Sequence, residues 1–216
     1  MKAILMSIKP KYVADILNGR KTIEIRKTMP KCDLPIDVYI YCTKDNVETL
    51  FKLREQLGKE YYDYACLSKK GKDYNLFLTD INLNGKVVAK FTLNKVEEIR
   101  RFMCGDFYHK DICLTTHELN NYLGFRGYGY GWHISNLEIF DKPKKLSEFM
   151  TPKSYQQYQR DLKKAYKDDE KTLSRLYSGC AFENECANCV ELIEMTKDCY
   201  GLKKPPKSWC YVEVQE

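Results

Sequence analysis

Short apolar and alternating segments recur along the whole chain, and most of them have the length of a β-strand. Apolar side chains dominate residues 3–7 and 36–42, whereas residues 22–26 alternate between polar and apolar positions. Runs of about four to eight such residues are typical of strands. Further strands are predicted at residues 86–93, 127–139 and 209–214.

Three other segments carry apolar residues at helical spacing. The first begins at Pro10 and ends before Gly19, because proline favours the first turn of a helix and glycine favours its end. The second begins after residues 115–118, which resemble a capping box. The third is longer; it begins at Pro152 and ends at Gly179.

This order of elements predicts one α+β domain over residues 1–216. Many short strands with few helices are typical of a small β-barrel or an α+β fold. Because the first and last segments are both predicted strands, we expect them to lie in one closed barrel sheet. Residues 43–83 and 147–202 are predicted to be insertions, the second of them helical and cysteine-rich.

The composition is sufficient for a hydrophobic core but predicts no membrane segment. Hydrophobic residues make up 44% of the 216 residues, which excludes wholesale disorder. No apolar run approaches the roughly 18 residues needed to cross a bilayer, and the N-terminal segment is charged too early for a signal peptide. We therefore expect a cytoplasmic protein without a membrane partner, and the sequence leaves its oligomeric state open.

Basic residues are concentrated near the N-terminus. The formal net charge is +6; residues 1–31 hold eight basic and two acidic residues, and the rest of the chain is neutral. Clustering of this kind favours anionic partners, nucleic acid first. The alternative is a solvated charged surface.

A cysteine cluster is the candidate metal site. Ten cysteines with no secretion signal argue against a disulfide scaffold. Four thiolates in one cluster can hold a tetrahedral structural zinc, although only one C-x2-C pair is present where a zinc ribbon has two. The alternative is that the thiols are reduced and pack within a helical segment. The four residues are Cys180, Cys186, Cys189 and Cys199.

The most specific pattern is Gly-Arg-Lys-Thr-Ile-Glu-Ile-Arg at residues 19–26. It matches G-x-K-x-x-E-x-R and resembles the signature of the ASCH domain, a small β-barrel related to the PUA fold of RNA-modifying enzymes. The resemblance covers residues 1–140 and 203–216. It implies a PUA-like fold with a ligand cleft at the motif.

The motif brings three charged side chains into one region. Glu24 and Arg26 lie on the same face of the predicted strand, and Lys21 lies in the turn before it. Such a trio can bind a polar ligand, with the two cations on phosphate and the carboxylate on an exocyclic amine. It can also transfer protons. The alternative is a surface ion pair worth about 0–1 kcal/mol.

Aromatic residues provide a second candidate for ligand binding. Tyr128, Tyr130 and Trp132 alternate with glycines, which leave room for a flat ligand. Stacking of a base on such rings is worth about 1–3 kcal/mol. The alternative is that these rings belong to the core.

Two functions follow from these residues. The first is binding of RNA or a nucleotide-like small molecule through Lys21, Glu24 and Arg26 together with the aromatic residues. The second is an amidohydrolase of a modified nucleoside such as N4-acetylcytidine, with Lys21 and Glu24 as catalytic residues. Relatives with that activity have threonine where this chain has Glu24, so their nucleophile has no counterpart here. Binding is therefore the leading hypothesis.

Overall fold

The computed structural model describes residues 1–44, 85–103, 105–165 and 197–214. The strands are β1 (Lys2–Ile8), β2 (Ile23–Arg26), β3 (Ile36–Cys42), β4 (Val87–Arg100), β5 (Tyr108–His109), β6 (Leu114–Thr115), β7 (Tyr128–Lys144) and β8 (Trp209–Glu213). The helices are α1 (Pro10–Leu17), α2 (Thr116–Leu123) and α3 (Pro152–Ala165).

Six strands form one mixed sheet in the order β2-β7-β4-β3-β1-β8, and β5 pairs with β6 separately. Only β1 and β3 run parallel within the six-stranded sheet. The α+β class is thus confirmed, and the strands at the two ends of the chain are neighbours in the sheet, as expected. The parallel pair arises because α1 and β2 carry the chain from the end of β1 back to the start of β3.

The predicted closed barrel is wrong for the described part of the chain, because β2 and β8 are the two edges of the sheet. Side chains connect these edges instead; for example, Trp209 Nε1 donates a hydrogen bond to Thr28 Oγ1 at 3.0 Å. Pro30 follows β2, and residues 205–206 before β8 are both prolines. Proline has no N–H to donate to a ladder. We call this gap between β2 and β8 the seam.

The central strands are buried on both faces. Ile4 and Met6 of β1 pack in a cluster that includes Trp132, while Leu5 packs on the other side with Phe149. Strands covered on both faces carry continuous apolar runs rather than alternating ones. This explains why the run in β1 shows no polar face.

The predicted helix starts are confirmed where the structure describes them. Thr115 Oγ1 accepts a hydrogen bond from the Glu118 amide at 3.2 Å, and Glu118 Oε2 accepts one from the Thr115 amide at 2.8 Å. This is the predicted capping box at the start of α2. α3 begins at Pro152, and none of the described helices is long and apolar enough to cross a membrane.

Most of the two predicted insertions lies outside the described residues, since residues 45–84 and 166–196 are not described. The interpretation of residues 1–216 as one domain with these insertions therefore stays a prediction. The described part of the second insertion packs on the sheet, where Met150 forms a β-bridge with Glu213.

Candidate functional site

A cleft of about 800 Å³ opens beside the seam. Its walls come from the junction of β1 and α1, the turn and strand of the motif, one face of α2, and residues 205–208 before β8. Five cationic side chains, two carboxylates and two tyrosines line it. They are Lys9, Lys21, Arg26, Lys27 and Lys207; Glu24 and Glu118; and Tyr12 and Tyr122.

A tight turn after α1 places Lys21 in this cleft. Gly19 has a φ of +69°, a left-handed conformation that glycine adopts without steric cost. The carbonyl oxygen of Asp15 then accepts hydrogen bonds from the amides of Arg20 at 2.9 Å and Lys21 at 3.0 Å. The Lys21 ammonium donates to the carbonyl oxygen of Ile112 at 2.6 Å. Lys21 is therefore held by both its backbone and its side chain.

Lys21, Glu24 and Arg26 form one buried ion cluster, which we call the floor of the cleft. Glu24 Oε2 lies 3.3 Å from Lys21 Nζ, and Glu24 Oε1 lies 3.0 Å from Arg26 Nη2. Arg26 also donates to the carbonyl oxygen of Ser7 at 2.8 Å and to Ser208 Oγ at 3.3 Å. The three floor residues are 2%, 6% and 7% exposed, respectively. This burial does not fit the surface ion pair considered above.

The floor has more unused hydrogen-bond donors than unused acceptors. Each oxygen of Glu24 already faces a cation, whereas an ammonium has three N–H groups and a guanidinium has five. The Arg26 Nε–H is buried and has no hydrogen-bond partner within the described ranges. A ligand group at the floor is therefore expected to be an acceptor, such as a carbonyl or an anionic oxygen. An exocyclic amine on Glu24 fits this arrangement less well.

Both faces of β2 are buried, unlike the half-buried strand that its alternation predicts. Ile25 packs under α2 against Leu119 and Leu123. Glu24 is paired with Trp132 in the ladder between β2 and β7, so its side chain lies on the same face as this core residue. The sequence pattern misses the second buried face because charged side chains usually mark a solvated surface.

The three aromatic residues proposed from the sequence do not line the cleft. Trp132 is fully buried, Tyr130 packs against the same core, and Tyr128 meets Tyr130 edge to face at 6.2 Å. A Cβ atom at Gly129 would lie 2.9 Å from the carbonyl oxygen of Arg26. This glycine therefore makes room for β2 and not for a flat ligand. Trp132 and Tyr130 pack with the core, whereas Tyr128 contacts Arg126, and a binding role for the three rings stays a prediction.

Two tyrosines that the sequence did not single out for binding line the cleft instead. Lys21 Nζ lies 5.3 Å from the ring centroid of Tyr12, and Lys27 Nζ lies 5.3 Å from that of Tyr122, within the range of cation–π contacts. Burial raises the pKa of both phenols, and the carboxylate of Glu118 adds to the rise for Tyr12. Both rings lie on amphipathic helices, where aromatic residues usually pack in the core. One local feature of the sequence could have indicated Tyr12 as a cleft residue: its helix, α1, leads directly into the motif.

Three of the lysines that line the cleft are exposed, and we call them the rim. Lys9 lies between β1 and α1, Lys27 follows β2, and Lys207 precedes β8. In the part of the chain that the structure describes, no carboxylate forms an ion pair with any of them. The rim thus presents three separate cations to the solvent at one opening.

The predicted zinc cluster lies mostly outside the described residues. Cys180, Cys186 and Cys189 are not described, and Cys199 is an exposed free thiol. The described ranges hold no group of three or more side chains that could bind a metal ion. One structural zinc therefore stays a prediction. Elemental analysis of protein purified without chelator should find about one equivalent, and less than about a tenth would contradict it.

No protein-family model matches the chain, and no curated protein sequence matches it. The fold is similar to crystal structures of ASCH from Zymomonas mobilis. One of these is 12% identical, with a TM-score of 0.45, and the match covers 98% of this chain and 87% of that chain. A tyrosine-to-phenylalanine variant of that protein is 14% identical, with a TM-score of 0.41, over 68% of this chain and 77% of that chain. These structures bear the name of the family that residues 19–26 resemble.

Proposed function

We propose that the cleft binds RNA or a nucleotide-like ligand. The observation that carries this proposal is the floor, a buried cluster of two cations and one carboxylate that has more unused hydrogen-bond donors than acceptors. A nucleobase carbonyl is an acceptor that such a cluster can bind. The cleft volume of about 800 Å³ also lies in the usual range for small-molecule sites, about 300–1,000 Å³.

The walls of the cleft support a ligand with a flat apolar part. Ile8, Ile25 and Leu114 contribute apolar surface beside Tyr12 and Tyr122. Every base has an aromatic face, so stacking on a tyrosine is tolerant of sequence and is worth about 1–3 kcal/mol per base. A base against these walls would place its edge towards the floor.

The motif resemblance supports the same class of ligand. Residues 19–26 resemble the ASCH signature, and the related PUA fold occurs in RNA-modifying enzymes. Four of the five cations that line the cleft also come from the basic segment at residues 1–31. Half of the eight basic residues in that segment thus line one cleft.

The amidohydrolase alternative lacks a placed nucleophile. Among the described residues, no hydroxyl group forms a hydrogen bond with Lys21 or Glu24. Thr22 Oγ1 instead lies 3.4 Å from Asp111 Oδ1, outside the cleft. Binding therefore remains the leading proposal, and turnover of N4-acetylcytidine is one outcome of the test.

Titration of the purified chain with ribonucleosides, their monophosphates and short single-stranded RNAs tests the proposal. We expect saturable binding of at least one probe, and Arg26→Gln should weaken it by about tenfold or more, since a charge-assisted hydrogen bond is lost. The matched control is Arg100→Gln, which removes an exposed arginine paired with Glu98 at 2.6 Å outside the cleft.

Because Arg26 is buried, its variant is compared with Tyr122→Leu, which alters a more exposed wall of the same cleft. Loss of binding in both variants, with the control unchanged, supports the proposal. Absence of binding to every probe would contradict it. Hydrolysis of N4-acetylcytidine that disappears in Glu24→Gln would favour the enzyme instead.

A further inference from the structure

We propose that the rim is a phosphate subsite, so that the ligand of the cleft is a nucleotide or an RNA phosphate rather than a free nucleoside. This inference rests on the proposed function, since it concerns the ligand of the same cleft. It adds that Lys9, Lys27 and Lys207 bind the phosphate, while the floor binds an acceptor on the base.

The first reason is the position of the rim lysines relative to the carboxylates of the chain. Some lysines outside the rim have acidic partners, as Lys95 Nζ lies 2.9 Å from Glu97 Oε2, whereas others such as Lys142 have none in the described ranges. The rim differs because its three lysines line one cleft. The rim lysines have none within the described ranges, although they come from three separate segments. Three unpaired cations at one opening favour an anionic ligand.

The second reason is that the floor suits a neutral acceptor better than a phosphate. Glu24 lies between Lys21 and Arg26, and its negative charge would repel a phosphate placed beside it. A base carbonyl has no such repulsion and can accept a hydrogen bond from a cation of the floor. The phosphate is therefore expected away from Glu24, at the mouth of the cleft.

The third reason is the contact between the rim and the aromatic wall. The Lys27 ammonium lies 5.3 Å from the centroid of the Tyr122 ring, and Tyr122 is the more exposed of the two wall tyrosines. This contact keeps a phosphate-binding group beside the ring on which the base is proposed to stack. Lysine binds phosphate as a compact point charge, so no fixed geometry is required of it.

The test compares each ribonucleoside with its 5′- and 3′-monophosphates and with a short single-stranded RNA, by titration of the full chain. Wild type is compared with a variant in which all three rim lysines are glutamine. The control changes three exposed lysines that do not line the cleft, Lys95→Gln, Lys142→Gln and Lys163→Gln, and so alters the net charge equally.

In wild type we expect a monophosphate to bind about tenfold or more tightly than its nucleoside. The rim variant should lose this advantage and keep its affinity for the nucleoside, and the control should keep both. Preference for a free monophosphate or for RNA identifies the source of the phosphate, and either result supports the subsite.

Two results would overturn the inference while leaving the proposed function intact. The first is equal affinity of wild type for nucleosides and their monophosphates. The second is a phosphate advantage that survives in the rim variant. Failure of every probe to bind would instead overturn the proposed function itself.

Discussion

The floor and the rim of the cleft are both basic, but they are built differently. On the floor, Lys21 and Arg26 are buried and share one carboxylate, and backbone carbonyl groups accept further hydrogen bonds from both. The rim lysines are exposed and have no carboxylate partner in the described ranges. Basic residues are therefore held by ion pairs and hydrogen bonds on the floor, whereas on the rim they remain available to an anionic ligand.

This difference separates stability from binding. Buried charges that are paired are costly to disturb, because a lost partner leaves the other charge without solvent or counter-ion. Exposed lysines contribute little to folding, yet their field acts on any anion that approaches. We therefore expect substitutions of the floor to affect both the fold and the ligand, and substitutions of the rim to affect only the ligand.

The largest effect is expected for Glu24→Ala, which leaves two buried cations side by side. We predict that the free energy of unfolding falls by about 3–5 kcal/mol, measured by urea denaturation. Glu24→Gln keeps the shape and should cost less. A loss below about 1 kcal/mol for the alanine variant would show that the ion pairs of the floor stabilise the fold no more than an exposed surface pair does.

A smaller loss is expected for Arg26→Lys, which keeps the charge but removes the planar group that reaches Glu24, Ser7 and Ser208. We predict destabilisation by about 1.5–3 kcal/mol. Arg100→Lys is the matched change at an exposed pair and should stay within about 0.5 kcal/mol. Equal effects of the two substitutions would contradict the distinction between buried and exposed pairs.

Two aromatic residues allow binding and stability to be tested separately, because Tyr122 lines the cleft and Trp132 lies in the core. Tyr122→Leu should weaken ligand binding by about 1–3 kcal/mol, with the melting temperature nearly unchanged. Trp132→Phe should do the reverse, since that ring is fully buried in the core. If Trp132→Phe weakens binding while the protein remains folded, the sequence-based assignment of this ring to the ligand would be restored.

The smallest effect is expected for a single rim substitution. Lys207→Gln should leave the free energy of unfolding within about 0.5 kcal/mol of wild type. The slope of log affinity against log salt for single-stranded RNA should become shallower by about 0.7–1, the contribution of one phosphate contact. An unchanged slope would remove Lys207 from the phosphate subsite.

The sequence alone indicated that the three motif residues lie together, and their role in binding stays a prediction. Lys21, Glu24 and Arg26 lie within six residues, and the turn at Gly19 and the strand parity that bring them together are both local features. The strands of the sheet were also predicted, because apolar runs and alternation are short-range signals. These predictions needed no knowledge of which strands are neighbours.

The parts that failed depend on contacts between distant residues. The burial of Glu24 follows from the pairing of β2 with β7, and Lys207 reaches the cleft only because β8 pairs with β1. Tyr122 resembled a core residue of an amphipathic helix until the position of α2 beside β2 was known. The open seam likewise depends on which strands form the edges, and no periodicity in the chain encodes that.

The most direct test is amide chemical-shift mapping of the 15N-labelled chain during titration with ribonucleoside monophosphates. If the cleft binds nucleotides, saturable shifts should occur at Lys21, Arg26 and Tyr122, while Phe149, on the opposite face of the sheet, stays unchanged. Shifts confined to another surface would contradict the assignment. So would the absence of saturable shifts up to about 10 mM ligand.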